Sequence, residues 1–409
     1  MLIKNIGHLI GILPEGIGRL RGVEMNDLGT IDDAWLSTDG ERIADFGHMA
    51  SCPDAADEEV FDAQGGLVGP AFCDSHTHLV WAGDRSGEFI DKINGLSYEE
   101  IAARGGGILN SADRLNAASD DELFESAHRR LRQVISMGTG AIEIKSGYGL
   151  TLEGELKMLR VIERLRHAEP GVEIRATFLG AHAVGRKFAG HQADYVDHVI
   201  ADMLPAAAPF ADFVDVFCDQ GFFTVDETVR IIEAARVLGL RAKIHANELA
   251  VSGGVQAGVA HGALSVDHLE RIGREEVELL AASDTIATML PGASFFLGMP
   301  YAPARQAIAG GCAVALASDY NPGSSPSGSM PFVVSLGSIK MKLLPEQAFN
   351  AATINGAAAM GISDDFGSVT RGKYASLVIY KSYAPSLAYI VHAYTEPTIK
   401  AVILKGKLA

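Results

Sequence analysis

Between Gly66 and Gly361 the chain alternates short β-rich apolar runs with longer stretches of helical period. Eight runs read as strands: GLVGPAFCDSHTH, GAIEIKS, EIRATFLGAH, ADFVDVFCD, RAKIHANE, GALSVDHLE, DTIATMLPG and CAVALASDYNP. Amphipathic helical segments such as DDELFESAHRRLRQVIS and TLEGELKMLRVIERLRHA lie between them. This rhythm predicts parallel strands joined by crossover helices, and eight such units predict an α/β fold, a (β/α)8 TIM-type barrel over 66–361. Residues 1–65 and 362–409 read instead as short alternating strands with turn punctuation, including a hairpin-type turn at Asp39-Gly40. Both ends of the chain are expected to build one smaller composite β-sandwich domain. The connection after the first barrel strand, AGDRSGEFIDKINGLSYEEIAARGGGILNS, far exceeds the common βα loop of about 2 to 6 residues, which marks it as functional.

Length agrees with two domains, because 409 residues exceed the roughly 250 to 300 that one hydrophobic core organises. Apolar residues make up 48% of the chain, yet no run approaches the roughly 18 to 20 needed to span a membrane, so a soluble protein is expected. The opening MLIKNIGHLIGILPEG is interrupted by His8 and reads as a first strand rather than a leader. Cys52, Cys73, Cys218 and Cys312 form no Cys-x-x-Cys pair, which suits a reducing cytoplasm. A formal net charge of -17 argues against nucleic acid and anionic membranes as partners. An anionic substrate would need a few local cations, and a homodimer is the expected assembly.

In such a barrel, chemistry gathers at the C-terminal ends of the strands. His76 and His78 end the first, Lys145 the second, His182 the third, His245 the fifth, His268 the sixth and Asp319 the eighth. Side chains two apart on a strand share a face, so His76 and His78 aim together. Any one of these histidines alone fits a core residue bonded to backbone. As a group, His76, His78, His245 and Asp319 supply the imidazole and carboxylate set of a catalytic metal site with an open position. Lys145 fits three roles: a carboxylated bridge between two metals, an anion binder, or an ion-pair partner of Glu143 or Asp215. Glu248 lies one short turn past His245, within reach of a bound water or the substrate. Arg85 suits a substrate carboxylate, with a pair to Asp84 or Glu88 as the competing use. The turns SGYGL and DYNPGSSPSGSMP can aim Tyr148, Asn321 and backbone amides inward, while Gly105–Gly107 is only a weak phosphate-cradle pattern.

The ordered motifs HTHLVWAGDRSGEF, GGGI, IEIKSGYGLTLEGELKMLRVI, TFLGAHAV, DFVDVFCDQGFFT, KIHANEL, DHLE, LPGASFFL, ASDYNPGSSP and NAATINGAAAMG cover nearly the whole chain, which resembles the amidohydrolase superfamily. The resemblance implies one divalent ion, zinc or iron, on His76, His78, His245 and Asp319, with Lys145 not a metal bridge. It implies substrate contacts from Arg85, Tyr148, His182, Glu248, Asn321, Gly323 and Ser324. The implied reaction is hydrolysis of the cyclic amide bond of 4-imidazolone-5-propanoate to N-formimidoyl-L-glutamate by metal-bound hydroxide. Catalytic roles fall to Asp319 and His268, which orient the water and accept its proton, and to Glu248, which carries a proton to the leaving nitrogen. His182 is expected to help the metal stabilise the oxyanion, and Arg85 to bind the propionate. The chain departs from the family pattern at Lys92, Asn247 and the run NSADRLN at 110–116. The alternatives are another cyclic amidohydrolase or an aminoazine or purine-type deaminase, and, from a different class, a catalytically silent scaffold.

Overall fold

The computed structural model describes residues 1–54, 59–96, 100, 104 and 106–409. Strand β1 (Leu2–Ile10) pairs antiparallel with β2 (Thr30–Asp39), which turns back into β3 (Arg42–His48). This hairpin turns one position later than the sequence suggests. Asp39 pairs with Arg42, so Gly40 and Glu41 are the central residues, and Gly40 supplies the left-handed φ of 58° that such a tight turn requires. The strands β4 (Val60–Asp62) and β5 (Leu67–Pro70) run parallel to β1.

The apolar run expected to be one strand is two. After Pro70, which has no N–H with which to continue a ladder, the chain leaves this mixed sheet, and β6 (Phe72–Asp74) begins an all-parallel one. It is followed in order by β7 (Thr139–Lys145), β8 (Glu173–Ala181), β9 (Phe213–Cys218), β10 (Arg241–Ala246), β11 (Ser265–His268), β12 (Ile286–Met289) and β13 (Val314–Leu316). Backbone bonds also join the first and last of these beyond their strand ends. Thr77 bridges Tyr320, His78 N–H donates to Tyr320 O at 3.0 Å, and Asp319 N–H donates to His76 O at 3.0 Å. The seam of the (β/α)8 barrel is thus stitched at three of the candidate metal ligands, His76, His78 and Asp319. Strands β14 (Leu377–Tyr380), β15 (Ile399–Leu404) and β16 (Lys407–Leu408) return to the mixed sheet, where β14 pairs antiparallel with β5.

Alternation along the barrel strands separates two kinds of burial. Ile142, Ile144, Val214, Val216, Ile244 and Val266 belong to the apolar core shared with the helices, whereas Glu143, Lys145, Asp215, Lys243 and Asp267 are buried among one another. The helix Asp120–Ser136 is capped by a reciprocal Ser119–Glu122 box and buries Leu123, Ala127, Leu131 and Val134 at helical spacing. Arg130, on the same face, lies 3.5 Å from the Trp81 ring and donates to the carbonyls of Leu79 and Trp81. It thereby fastens the start of the long connection, which then forms the helices Ser86–Ile93 and Gly107–Ala117. No helix among the described residues is long and apolar enough to cross a membrane.

Past β7, the loop that carries Tyr148 wraps around a buried carboxylate. Glu155 accepts the N–H groups of Gly147, Gly149 and Leu150, each at 2.8 Å, and burial pushes its carboxyl above the usual range. Removing the acceptor leaves three buried donors without a partner. Glu155→Ala is therefore expected to lower the unfolding free energy by about 3 kcal/mol, read as a lower urea midpoint at unchanged slope. An unchanged midpoint would contradict this anchoring.

Candidate metal centre and active site

Five residues expected from the sequence converge at the C-terminal mouth of the barrel. His76 Nε2 and His78 Nε2 each lie 3.6 Å from Asp319 Oδ1. One ligand atom from each of His76, His78 and Asp319 falls within 4.8 Å of the others, and the same holds for His76, His245 and His268. The two groups share His76, whose ring centroid is 4.5 Å from that of His245. His268 and Asp319 take positive φ angles, 83° and 52°. Such conformations cost roughly 1 to 3 kcal/mol each and collect at functional sites.

Behind the imidazoles stand carboxylates. His76 Nδ1 is 2.6 Å from Asp267 Oδ2, and His245 Nδ1 is 2.9 Å from Asp215 Oδ2. At His76 the carboxylate keeps the proton on Nδ1 and turns the Nε2 lone pair outward, while His245 Nδ1 faces its carboxylate without a formed hydrogen bond. Both Nε2 atoms are buried without a hydrogen-bond partner among the described residues. Burial holds His76 and His78 well below the usual imidazole pKa, hence neutral as ligands must be, and pushes the Asp319 carboxyl up to about 7 in the absence of a cation. Among the described residues, the three carboxylates Glu143, Asp215 and Asp267 are buried against two ammonium groups, Lys145 and Lys243, and a divalent cation would offset the remaining negative charge. Orphaned nitrogens, neutral imidazoles and this excess of negative charge fit a divalent metal ion.

Around this cluster the candidate substrate residues are held by bonds of their own. His182 stacks on His78 at 5.2 Å between ring centroids, and its Nδ1 lies 3.0 Å from Gly147 O. Tyr148 is buried, 5.7 Å from His78 and 5.5 Å from His182 between ring centroids. Glu248 Oε2 lies 3.6 Å from His268 Nδ1, and burial raises the Glu248 carboxyl. The turn bearing Glu248 is fixed by Asp219, which accepts the N–H groups of Glu248, Leu249 and Ala250. For His268, burial alone would depress the pKa, but Glu248, Glu270 and Asp319 outweigh it and raise it to about 10.

Arg85 takes Glu88, not Asp84, as its partner: Nε and Nη2 donate to Glu88 Oε2 at 2.9 and 2.6 Å. Asp84 instead accepts from the backbone of Ser86. The Arg85 guanidinium lies against Gly323, where an added Cβ would come within 2.2 Å of Nη1. Asn321 shapes the same loop: its amide donates to Asp319 O and Ser324 Oγ and accepts from the N–H groups of Gly323 and Ser324. Ser324 Oγ in turn lies 3.3 Å from Asp319 Oδ2.

Among the positions that depart from the family pattern, Asn247 occupies a left-handed position at φ 55°, which asparagine tolerates, and accepts from Ser252. Lys92 lies 5.9 Å from the Phe296 ring centroid. Within 110–116, Arg114 donates to Asp84 O and Asn116 to Gly149 O, so this run braces two site loops. In the glycine run, Gly105 lies outside the described residues, and Gly107 N–H donates to Glu88 Oε1 at 3.0 Å.

Sequence reasoning passed over Asp267, Glu270, Asp219 and Glu155. The first two had a visible signal. Asp267 continues the inward alternation that follows Ser265 on β11, and Glu270 stands two residues past His268, its Oε2 3.7 Å from His268 Nδ1.

The profile of the amidohydrolase family matches residues 67–409. The imidazolonepropionase of Flavobacterium johnsoniae is 50% identical over 409 residues, covering 100% of this chain and 99% of that protein. The imidazolonepropionases of Christiangramia forsetii and Alkaliphilus oremlandii are 48% and 38% identical, with 99% and 97% of their own lengths covered and 100% and 99% of this chain. Among solved structures, a triazine hydrolase variant superposes with a TM-score of 0.75 at 15% identity, covering 100% of this chain and 94% of that one. Escherichia coli guanine deaminase superposes with a TM-score of 0.74 at 14% identity, covering 100% and 98%. At these identities the two structures speak for the fold alone. The family profile and the full-length identity to curated relatives agree with the geometry of the mouth: this chain belongs to the amidohydrolase family, in its imidazolonepropionase branch.

Proposed function

We propose that this chain hydrolyses the cyclic amide bond of 4-imidazolone-5-propanoate, giving N-formimidoyl-L-glutamate in histidine degradation. The observation that carries the reading is the pairing of the neutral His76 and His78 imidazoles with a guanidinium laid on Gly323, four residues past Asp319. A compact ring bearing a carboxylate tail matches both halves. A single zinc or iron ion on His76, His78, His245 and Asp319, when bound, supplies Lewis-acid activation of water.

The chain's own groups do the rest. Arg85, whose Nε edge Glu88 already holds, binds the propionate through its Nη1 side. Asp319 Oδ2, beside Ser324 Oγ, takes a proton from the attacking water, and His268, anchored toward Glu248 and Glu270, orients that water. A bond forms from water oxygen to the ring carbonyl carbon and the ring C–N bond breaks. Glu248, its carboxyl raised by burial, delivers the proton that the leaving nitrogen requires. His182 takes a different part from the oxyanion donor expected from sequence. Burial lowers its pKa to about 3, and Nδ1 carries the only proton toward Gly147 O, so Nε2 is an acceptor suited to a ring N–H of the substrate. Tyr148 closes the side next to it.

The homodimer and the cytoplasm complete the proposal, the latter supported by four free cysteines, three of them buried. A deaminase of related fold would release ammonia and keep the ring closed, and a silent scaffold would do neither. Incubation with 4-imidazolone-5-propanoate is expected to consume its absorbance and yield N-formimidoyl-L-glutamate mole for mole, and ammonia without ring opening, or no turnover with metal bound, contradicts the assignment. Arg85→Ala is expected to raise KM by about 2 to 3 kcal/mol with a smaller change in kcat. Gly323→Ala, whose methyl displaces the guanidinium, is expected to move KM in the same direction. An unchanged KM in both variants removes Arg85 from carboxylate binding.

A further inference from the structure

Below the imidazoles, Lys145 Nζ lies 2.6 Å from Glu143 Oε1, 2.8 Å from Asp215 Oδ2 and 3.7 Å from Asp267 Oδ2. The last two oxygens are the ones that His245 Nδ1 and His76 Nδ1 approach, at 2.9 and 2.6 Å. One ammonium group therefore faces both carboxylates that orient two candidate ligands. All three acids and Lys145 are fully buried, shielded from bulk solvent.

We propose that Lys145 is a positioning residue of the metal centre, fixing Asp215 and Asp267 and through them holding the Nε2 lone pairs of His76 and His245 on the cation. The inference rests on the metal-centre reading above and adds to it the group that organises two ligands from behind. The other roles that the sequence left open do not suit the geometry. An amine surrounded by three carboxylates within 3.7 Å stays protonated, and an ammonium has no lone pair with which to capture carbon dioxide as a carbamate bridge. A side chain with no exposed surface, enclosed below the ligand rings, does not reach a substrate at the mouth. Lys243 plays a different part, since it bonds Glu143, Ser75 O and Ala359 O and stays 3.9 Å from Asp267. It ties the floor of the barrel to the chain around it.

The test compares metal binding by full-length wild type and Lys145→Met, an uncharged replacement of similar length. Each is stripped with a chelator and titrated with zinc against a chromophoric competitor, and each is loaded with Co(II) for its visible absorption spectrum. Loss of an outer-sphere partner is expected to weaken zinc binding by about 10- to 100-fold and to shift the Co(II) bands as the imidazoles reorient. Wild type that binds no metal sinks the metal-centre reading itself. Wild type that binds, with Lys145→Met unchanged in both affinity and spectrum, overturns the positioning role alone. Where Lys145→Met does not fold, Glu143→Gln keeps the volume and removes the charge that seats the ammonium; weaker zinc binding with shifted Co(II) bands is expected, and unchanged values overturn the proposal. Failure of both variants to fold assigns Lys145 a structural role and overturns it equally.

Discussion

Within the barrel, Glu143, Asp215 and Asp267 lie beside the ammonium groups of Lys145 and Lys243, with none of the five exposed at the surface. Charges so placed are tolerated only when each finds a partner. Burial alone would raise the Asp215 carboxyl, but His245 and Lys145 outweigh it and hold it well below the ordinary range; Asp215, Glu143 and Asp267 in turn outweigh burial to raise Lys145. Because Asp215 and Asp267 also face the candidate ligand imidazoles of His245 and His76, the ionic interior and the candidate metal centre are one connected structure. A TIM-type barrel is more often filled with branched apolar side chains. Here the exchange of apolar for ionic filling places oriented carboxylates directly beneath the mouth.

The loops above are organised by the same chemistry in another form. Glu155 and Asp219 each gather three or more backbone N–H groups, and Asn321 does the same with two, so the turns bearing Tyr148, Glu248 and Ser324 are tied to buried acceptors. Arg85 is seated likewise, between Glu88 and the bare backbone of Gly323. A pocket assembled from the ends of separate strands gains its precision from these anchors.

Much of this was legible in the chain itself, for a physical reason. Strand periodicity and the rule that barrel chemistry sits at one end together select His76, His78, His245, His268 and Asp319, and these side chains do meet. What local sequence cannot contain is distance across the barrel. Lys145 was open between Glu143 and Asp215, and it contacts both at once because β7 and β9 face one interior. Asn321 reads as a ligand contact in sequence, whereas its amide is consumed within its own turn. The break after Pro70 was invisible because an apolar run carries no mark of which sheet it joins.

The account depends on three imidazoles and one carboxylate, from the seam and the far wall of one barrel, meeting at a single cation. X-ray absorption at the zinc and iron edges of the purified wild-type protein tests this most directly. The account predicts one ion per chain with nitrogen and oxygen neighbours at about 2.0 to 2.2 Å and the outer-shell scattering of several imidazole rings. A sulfur neighbour, or protein that retains full ring-opening activity with no metal bound, would contradict it.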